Sequence, residues 1–203
     1  MIEIYQIFPE PVYFSKLERS LTKEELNIIN KFKNETHNNA GQQTTNEDHV
    51  LNKKTLKNLK EDLNKIVIDY FNKVVCTSNS ITPYITQSWI NYTETNQFLH
   101  KHAHPNSYLS GVFYVAADKE VDKIQFSKDS YKRIVLTVSK NNIFNSLSWW
   151  HTVETGNVIL FPSNLIHGVE NKKGTNSRIS LAFNIFFRGK IGSKESFTEL
   201  VIQ

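Results

Sequence analysis

Phe98-Leu99-His100-Lys101-His102-Ala103-His104-Pro105-Asn106-Ser107-Tyr108-Leu109-Ser110-Gly111-Val112-Phe113-Tyr114-Val115 carries the densest signal in this chain. It joins a block of alternating histidines, a Pro-Asn turn and an apolar run of strand length. His100, His102 and His104 alternate with Leu99, Lys101 and Ala103. Successive side chains of a strand point to opposite faces, so the three imidazoles fall on one face. His102 and His104 can then reach one metal ion from a single strand. A third ligand has to come from elsewhere, and His167 is the candidate. It follows the apolar run Asn157-Val158-Ile159-Leu160-Phe161-Pro162 and leads into Gly168-Val169. Further on, Arg178 opens Arg178-Ile179-Ser180-Leu181-Ala182-Phe183-Asn184. A cation among apolar strand neighbours is costly unless an anion pairs with it.

Around this block the texture is one of short strands. Segments 84–92, 98–104, 109–116, 124–126, 134–138, 149–153, 157–161, 166–169 and 178–187 read as strands. Turn signals such as Glu154-Thr155-Gly156 and Lys172-Lys173-Gly174 separate them. Many short strands at regular spacing predict a double-sheet jelly roll or a barrel. Upstream, residues 2–8 alternate apolar and polar ahead of Pro9 and Pro11, which predicts a strand. Thr22-Lys23-Glu24-Glu25 is a capping box, and Leu26, Ile29 and Phe32 continue it at helical spacing. The polar stretch 34–48 reads as a loop. Leu56, Leu59, Leu63, Ile66, Tyr70, Phe71 and Val74 form one stripe of a second helix ending near Val75. The expected chain is one α+β domain over 1–203. An N-terminal strand and supporting helices fill 1–83, a β core fills 84–187, and 188–203 is a C-terminal tail.

Composition narrows the field. Of 203 residues, 39% are apolar and 22% charged, enough to bury a core and too ordered a mix for general disorder. No apolar run approaches the roughly 20 residues of a membrane span. The start, Met1-Ile2-Glu3-Ile4-Tyr5, carries an acid and no long apolar stretch, unlike a secretory signal. A single cysteine, Cys76, forbids an internal disulfide and a cysteine-based zinc cluster, and the expected compartment is a reducing cytoplasm. The net charge of +4 permits an anionic partner without demanding one. Lys53, Lys54, Lys57 and Lys60 share their helix with acids, so a solvated face is favoured there over a nucleic-acid contact.

Single features carry little weight here. A lone H-x-H pair also occurs as a satisfied structural pair, His100 reads as solvent-facing, and His151 after Trp149-Trp150 reads as structural or substrate-facing. The ordered set of H-x-H, a histidine before a strand, then a strand arginine rarely arises by accident.

On these residues the sequence resembles the iron(II)- and 2-oxoglutarate-dependent oxygenases, and among them a bacterial and phage subgroup. The matching segments are Phe8-Pro9-Glu10-Pro11-Val12-Tyr13, Ser88-Trp89-Ile90-Asn91, the run from His102 to Val115, Leu160-Phe161-Pro162-Ser163 with His167, and the run from Arg178 to Asn184. They span nearly the whole chain in order, with no clear correspondence over 117–148. The resemblance implies a double-stranded β-helix, a cupin-like jelly roll, with a metal between its sheets. By position it gives His102, His104 and His167 to Fe(II). It gives Arg178 to the distal carboxylate of 2-oxoglutarate, with Ser180 two residues on. Tyr114 and Tyr92 match cosubstrate-contacting tyrosines. The implied reaction uses O2 and couples decarboxylation of 2-oxoglutarate to hydroxylation of a substrate, with no side-chain base or nucleophile.

One departure stands out. The widespread pattern has Asp or Glu where this chain has His104, and an all-imidazole site leaves more charge on the ion and also suits zinc, copper or nickel. Two other readings compete. A cupin metalloprotein would share Gly156–Pro162 and His167, yet residues 105–109 lack the expected Glu and Arg178 would have no task. A non-catalytic β-roll binding module would keep the histidines for packing. The substrate stays open among peptide, small molecule and nucleobase, as does homo-oligomerisation. Segments 34–50, 93–98 and 117–150 are the expected mouth loops.

Overall fold

Thr22 starts the first helix as its sequence requires. Its hydroxyl accepts from the Glu25 amide, and the Glu25 carboxylate accepts from the Thr22 amide. Helix α1 spans Lys23–Phe32 and buries Ile29 and Phe32. Helix α2 spans Lys57–Tyr70 and ends in a wider π-turn, Phe71–Val75. Arg19 joins the two helices, holding the Glu25 carboxylate through both terminal nitrogens at 2.7 Å and Asp62 at 2.8 Å. Leu56, Leu59, Leu63, Val67, Tyr70 and Phe71 form the buried stripe. Val74 drops out of the stripe read from the sequence, being 38% exposed. The π-turn inserts extra arc, so Val74 rotates towards solvent.

The computed structural model describes residues 2–129, 134 and 136–203. Among them, two antiparallel sheets dominate. The larger has eight strands: β1 (Tyr13–Lys16), β2 (Thr36–Asn39), β3 (Gln42–Thr45), β4 (Ile81–Thr93), β6 (Leu109–Ala116), β9 (Asn157–Pro162), β11 (Arg178–Ile191) and β12 (Leu200–Ile202). Its order is β1-β9-β6-β11-β4-β3-β2, with β12 added on β11. The smaller sheet holds β5 (Leu99–His102), β10 (Ile166–Val169), β7 (Lys123–Ser127) and β8 (Ser148–Thr152), in that order. The result is a mostly β, jelly-roll-type architecture with helices on one outer face.

Strand parity sorts the core. Ile90 and Tyr92 of β4, Phe113 and Val115 of β6, Val158 and Leu160 of β9, and Leu181 and Phe183 of β11 turn towards the helices in one large apolar cluster. Their neighbours of opposite parity turn towards the small sheet. There Tyr114, Ile159 and Phe161 meet Ile124 and Phe126 in a smaller cluster. Gly111 lies where β6 passes under Phe183. A Cβ at that position would lie 2.3 Å from the Phe183 ring and 2.9 Å from Leu160, so no larger residue fits without movement.

Four sequence expectations change. Residues 2–8 form no strand, and Ile2 and Phe8 are 95% and 93% exposed. Both parities of that stretch carry apolar side chains, so neither face is defined, and the first strand forms only after Pro11. The polar stretch 34–48 contains the β2–β3 hairpin, turned at Ala40 and Gly41 with φ of 47° and 109°. The tail beyond 187 continues β11 to Ile191 and returns as β12. The strand expected at 134–138 falls partly outside the described residues, and Ile134 and 136–138 are not in one.

Candidate metal centre

His102 closes β5, and the parity of its strand carries on to His104, whose amide donates to the Ser163 carbonyl at 2.9 Å. His167 sits in β10 directly opposite His102 in register. One ligating nitrogen from each of the three imidazoles lies within 4.8 Å of the others. The Nε2 atoms of His102 and His104 are 3.1 Å apart.

The other ring nitrogens fix the tautomers. His102 Nδ1 lies 2.9 Å from the His100 carbonyl oxygen, His167 Nδ1 3.0 Å from that of Leu165, and His104 Nδ1 2.6 Å from Asn184 Oδ1. Each of these partners is an oxygen acceptor, so each Nδ1 carries the hydrogen and donates. Each Nε2 therefore presents a lone pair. Facing lone pairs repel unless a cation sits between them. With nitrogen–metal bonds of about 2.1 Å, cis ligand atoms of an octahedral ion stand roughly 3.0 Å apart, which matches the His102–His104 spacing. Burial also depresses the pKa of His102 and His104 and pushes His167 down to about 3, keeping the rings neutral for a metal. His100 is exposed and stands outside this cluster, and the His151 ring packs on Phe14 at 4.8 Å.

Arg178 enters the same space from β11. It is 2% exposed, and burial lowers its pKa, with Tyr114 and Asp122 acting in the opposite direction. It forms no ion pair among the described residues. One terminal nitrogen donates to Thr93 Oγ1 at 3.0 Å, and its Nε meets no acceptor. Tyr114, Ser180, Arg178 and the three histidines line a single small cavity of about 40 Å³ between the sheets. Burial raises the Tyr114 phenol to about 12, so it stays protonated and able to donate.

Tyr92 is the one candidate turned away. Its ring lies in the helix-side cluster and its hydroxyl donates to the Ile29 carbonyl. Parity explains this: Ile90 and Tyr92 face the helices, while Trp89, Asn91 and Thr93 face the other side. Trp89 and Asn91 line the cavity, and Thr93 holds Arg178. The alternation of Ile90 and Tyr92 with polar Asn91 and Thr93 was available to find them. Asn184 and Gln42 were missed as well. Asn184 shares the parity of Arg178 and Ser180, but Gln42 lies in a stretch without any periodic signal.

A second, larger cavity of about 640 Å³ borders the small sheet. Phe126, which pairs with His167 across β7 and β10, and Leu165, whose carbonyl holds His167, are part of its wall.

Comparison with known proteins agrees with this geometry. Residues 87–184 match the family model described as "Putative 2OG-Fe(II) oxygenase". No curated protein matches the chain. Among solved structures, HygX from Streptomyces hygroscopicus with nickel, 2-oxoglutarate and hygromycin B bound is similar at 12% identity and a TM-score of 0.59, covering 87% of this chain and 82% of that one. A prolyl hydroxylase from Trichoplax adhaerens, in complex with a peptide fragment of hypoxia inducible factor, shows 11% identity and a TM-score of 0.60 over 86% and 83%. A viral collagen prolyl hydroxylase from Paramecium Bursaria Chlorella virus-1 shows 11% and 0.53 over 86% and 94%. At such identities the likeness is one of fold.

Proposed function

From the match of residues 87–184 to the family model described as "Putative 2OG-Fe(II) oxygenase", we propose that this chain binds Fe(II) through His102, His104 and His167 and oxidises a substrate at the expense of 2-oxoglutarate. The observation that carries the assignment is the pair of unmet demands in one cavity. Three Nε2 lone pairs converge on a point, and a buried guanidinium beside them meets no anion among the described residues. A divalent cation answers the first demand and a diacid the second. A cupin has no use for the guanidinium, and a packing module has no use for convergent lone pairs.

The core is read as a double-stranded β-helix within one domain over 1–203. Bound iron and 2-oxoglutarate supply the oxidising power, drawing on O2 and releasing succinate and carbon dioxide. The protein does the rest. Three imidazoles, each anchored at Nδ1, hold the ion without reorganising. Arg178 and Ser180, with the protonated Tyr114 hydroxyl nearby, bind and orient the far carboxylate. Ile124, Val112 and Ala182 line the same cavity and exclude water. Because His104 stands where a carboxylate is usual, the protein adds no negative charge to the ion, and the cosubstrate's near carboxylate would supply it. The larger cavity next to Phe126 and Leu165 supports a peptide or small-molecule substrate presented beside His167. The free, exposed Cys76 fits a reducing, cytoplasmic setting, and no described helix is long and apolar enough to cross a membrane.

Anaerobic titration with Fe(II) and then 2-oxoglutarate tests the reading through the weak visible charge-transfer band. Wild type is expected to take up one equivalent of each. Arg178→Ala keeps the metal and loses 2-oxoglutarate, and His167→Ala loses stoichiometric metal. Unchanged 2-oxoglutarate affinity in the arginine variant would remove Arg178 from the site.

A further inference from the structure

The hairpin turn at Ala40 and Gly41 delivers Gln42 into the inner cavity, far in sequence from the histidine block. In β3, Gln43 pairs with Tyr92 and Thr44 with Asn91, which places Gln42 beside Thr93, the residue that holds Arg178. Gln42 is 1% exposed and lines the same cavity as Arg178, Tyr114 and Ser180.

A chain of hydrogen bonds sets its orientation. Arg178 has only donors, so Thr93 Oγ1 accepts from it at 3.0 Å. The Thr93 hydroxyl hydrogen is then free to donate to Gln42 Oε1 at 2.8 Å. With its oxygen engaged, the Gln42 amide nitrogen points onward. That nitrogen is buried and meets no acceptor among the described residues. Arg178 Nε is in the same position. Two orphaned donors in one cavity, linked through Thr93, call for one acceptor group with more than one oxygen. Leaving a buried donor unmet is costly, and a carboxylate satisfies both.

We propose that Gln42 is a cosubstrate-binding residue, whose amide donates to the distal carboxylate of 2-oxoglutarate beside Arg178 and so helps the site select a diacid over a monoacid. The proposal rests on the function assigned above. It gives the β2–β3 hairpin a binding task. Removing the hairpin's contact weakens the distal end of the cosubstrate and leaves the metal end alone.

The test compares two ligands, 2-oxoglutarate and 2-oxovalerate, which lacks the distal carboxylate. Both are titrated by calorimetry into the full chain loaded anaerobically with Fe(II), with metal stoichiometry measured in parallel. Gln42→Leu is expected to bind a full equivalent of metal. Its affinity for 2-oxoglutarate falls roughly tenfold or more, as loss of a hydrogen bond to a charged group does, while its affinity for 2-oxovalerate is unchanged. Gln42→Met serves the same comparison if the leucine variant does not fold. Wild-type affinity for 2-oxoglutarate in a metal-loaded variant overturns the proposal, because the amide then meets only water. Equal loss for both ligands also overturns it, since the effect then lies at the metal end. Failure of the wild type to bind 2-oxoglutarate at all sinks the assigned function itself, and that outcome is read before any variant is made.

Discussion

Among the described residues, Asn184 is the single side chain, rather than backbone, that holds a metal-facing imidazole by a hydrogen bond. His102 and His167 lean on carbonyls, which mutation cannot remove, whereas His104 leans on Asn184 Oδ1. Asn184→Ala is therefore expected to free the His104 ring and weaken metal binding about 10- to 100-fold, with little change in the melt of the metal-free protein. Competition against a chromophoric chelator measures this, and wild-type affinity would show that the Asn184 contact does not govern the ring. The histidines also set an acid limit. His167 has a folded-state pKa of about 3, against about 6.5 in an unfolded chain. Below about 6.5 the unfolded chain takes up a proton that the folded chain refuses. Metal-free stability is thus whole above about 6.5 and declines towards 3, by about 1.4 kcal/mol per pH unit for such a group. Urea midpoints from pH 7.5 to 5 follow the decline, and a flat series would contradict it. At this scale the sequence was legible where parity alone sufficed. The H-x-H pair needed no more than alternation, whereas Ser180 beside Arg178 came from the resemblance. Tyr92, which the resemblance gives to the cosubstrate, turns instead into the helix-side cluster, because it shares its face with Ile90 and lies opposite Asn91 and Thr93.

Between elements, β6 and β11 approach closely at Gly111. Gly111 pairs with Phe183 in register, and the ring covers the glycine. Gly111→Ala is expected to cost about 1–3 kcal/mol by overpacking, and Phe183→Leu in the same chain is expected to recover part of it. Chemical denaturation of the two single variants and the double variant reads the coupling, and strict additivity would mean that the ring yields freely. The helices were legible because capping and a stripe of period 3.6 are local signals: Thr22 with Glu25, and Leu56 through Phe71. The β2–β3 hairpin was not. Thr36-His37-Asn38-Asn39 and Gln42-Gln43-Thr44-Thr45 lack apolar alternation, and β3 is held by its ladder to β4 and by bonds such as Thr44 to Asn91. The segment 2–8 shows the converse, an apolar pattern with no partner strand to pair with it.

For the molecule as a whole, the two sheets have unequal claims on the core. The large sheet packs against both helices through the larger cluster. The small sheet touches it through a handful of residues around Tyr114, Phe126 and Phe161. The histidines straddle that seam: His102 and His167 belong to the small sheet, and His104 is tied by Asn184 to β11 of the large one. A bound ion therefore acts as a rivet between layers. Metal at 100 times its dissociation constant adds about 2.7 kcal/mol, or roughly 5–10 °C for a chain of this size. Amide exchange shows where that gain resides. Loading is expected to slow exchange in β5 and β10 while the middle of β4 and β11 keeps its rate. Uniform slowing would mean that the sheets already open and close as one body. If the rivet holds, starving the protein of iron does more than silence it: the lightly fastened layer peels first, and a protease meets the empty form at β5 long before the loaded one.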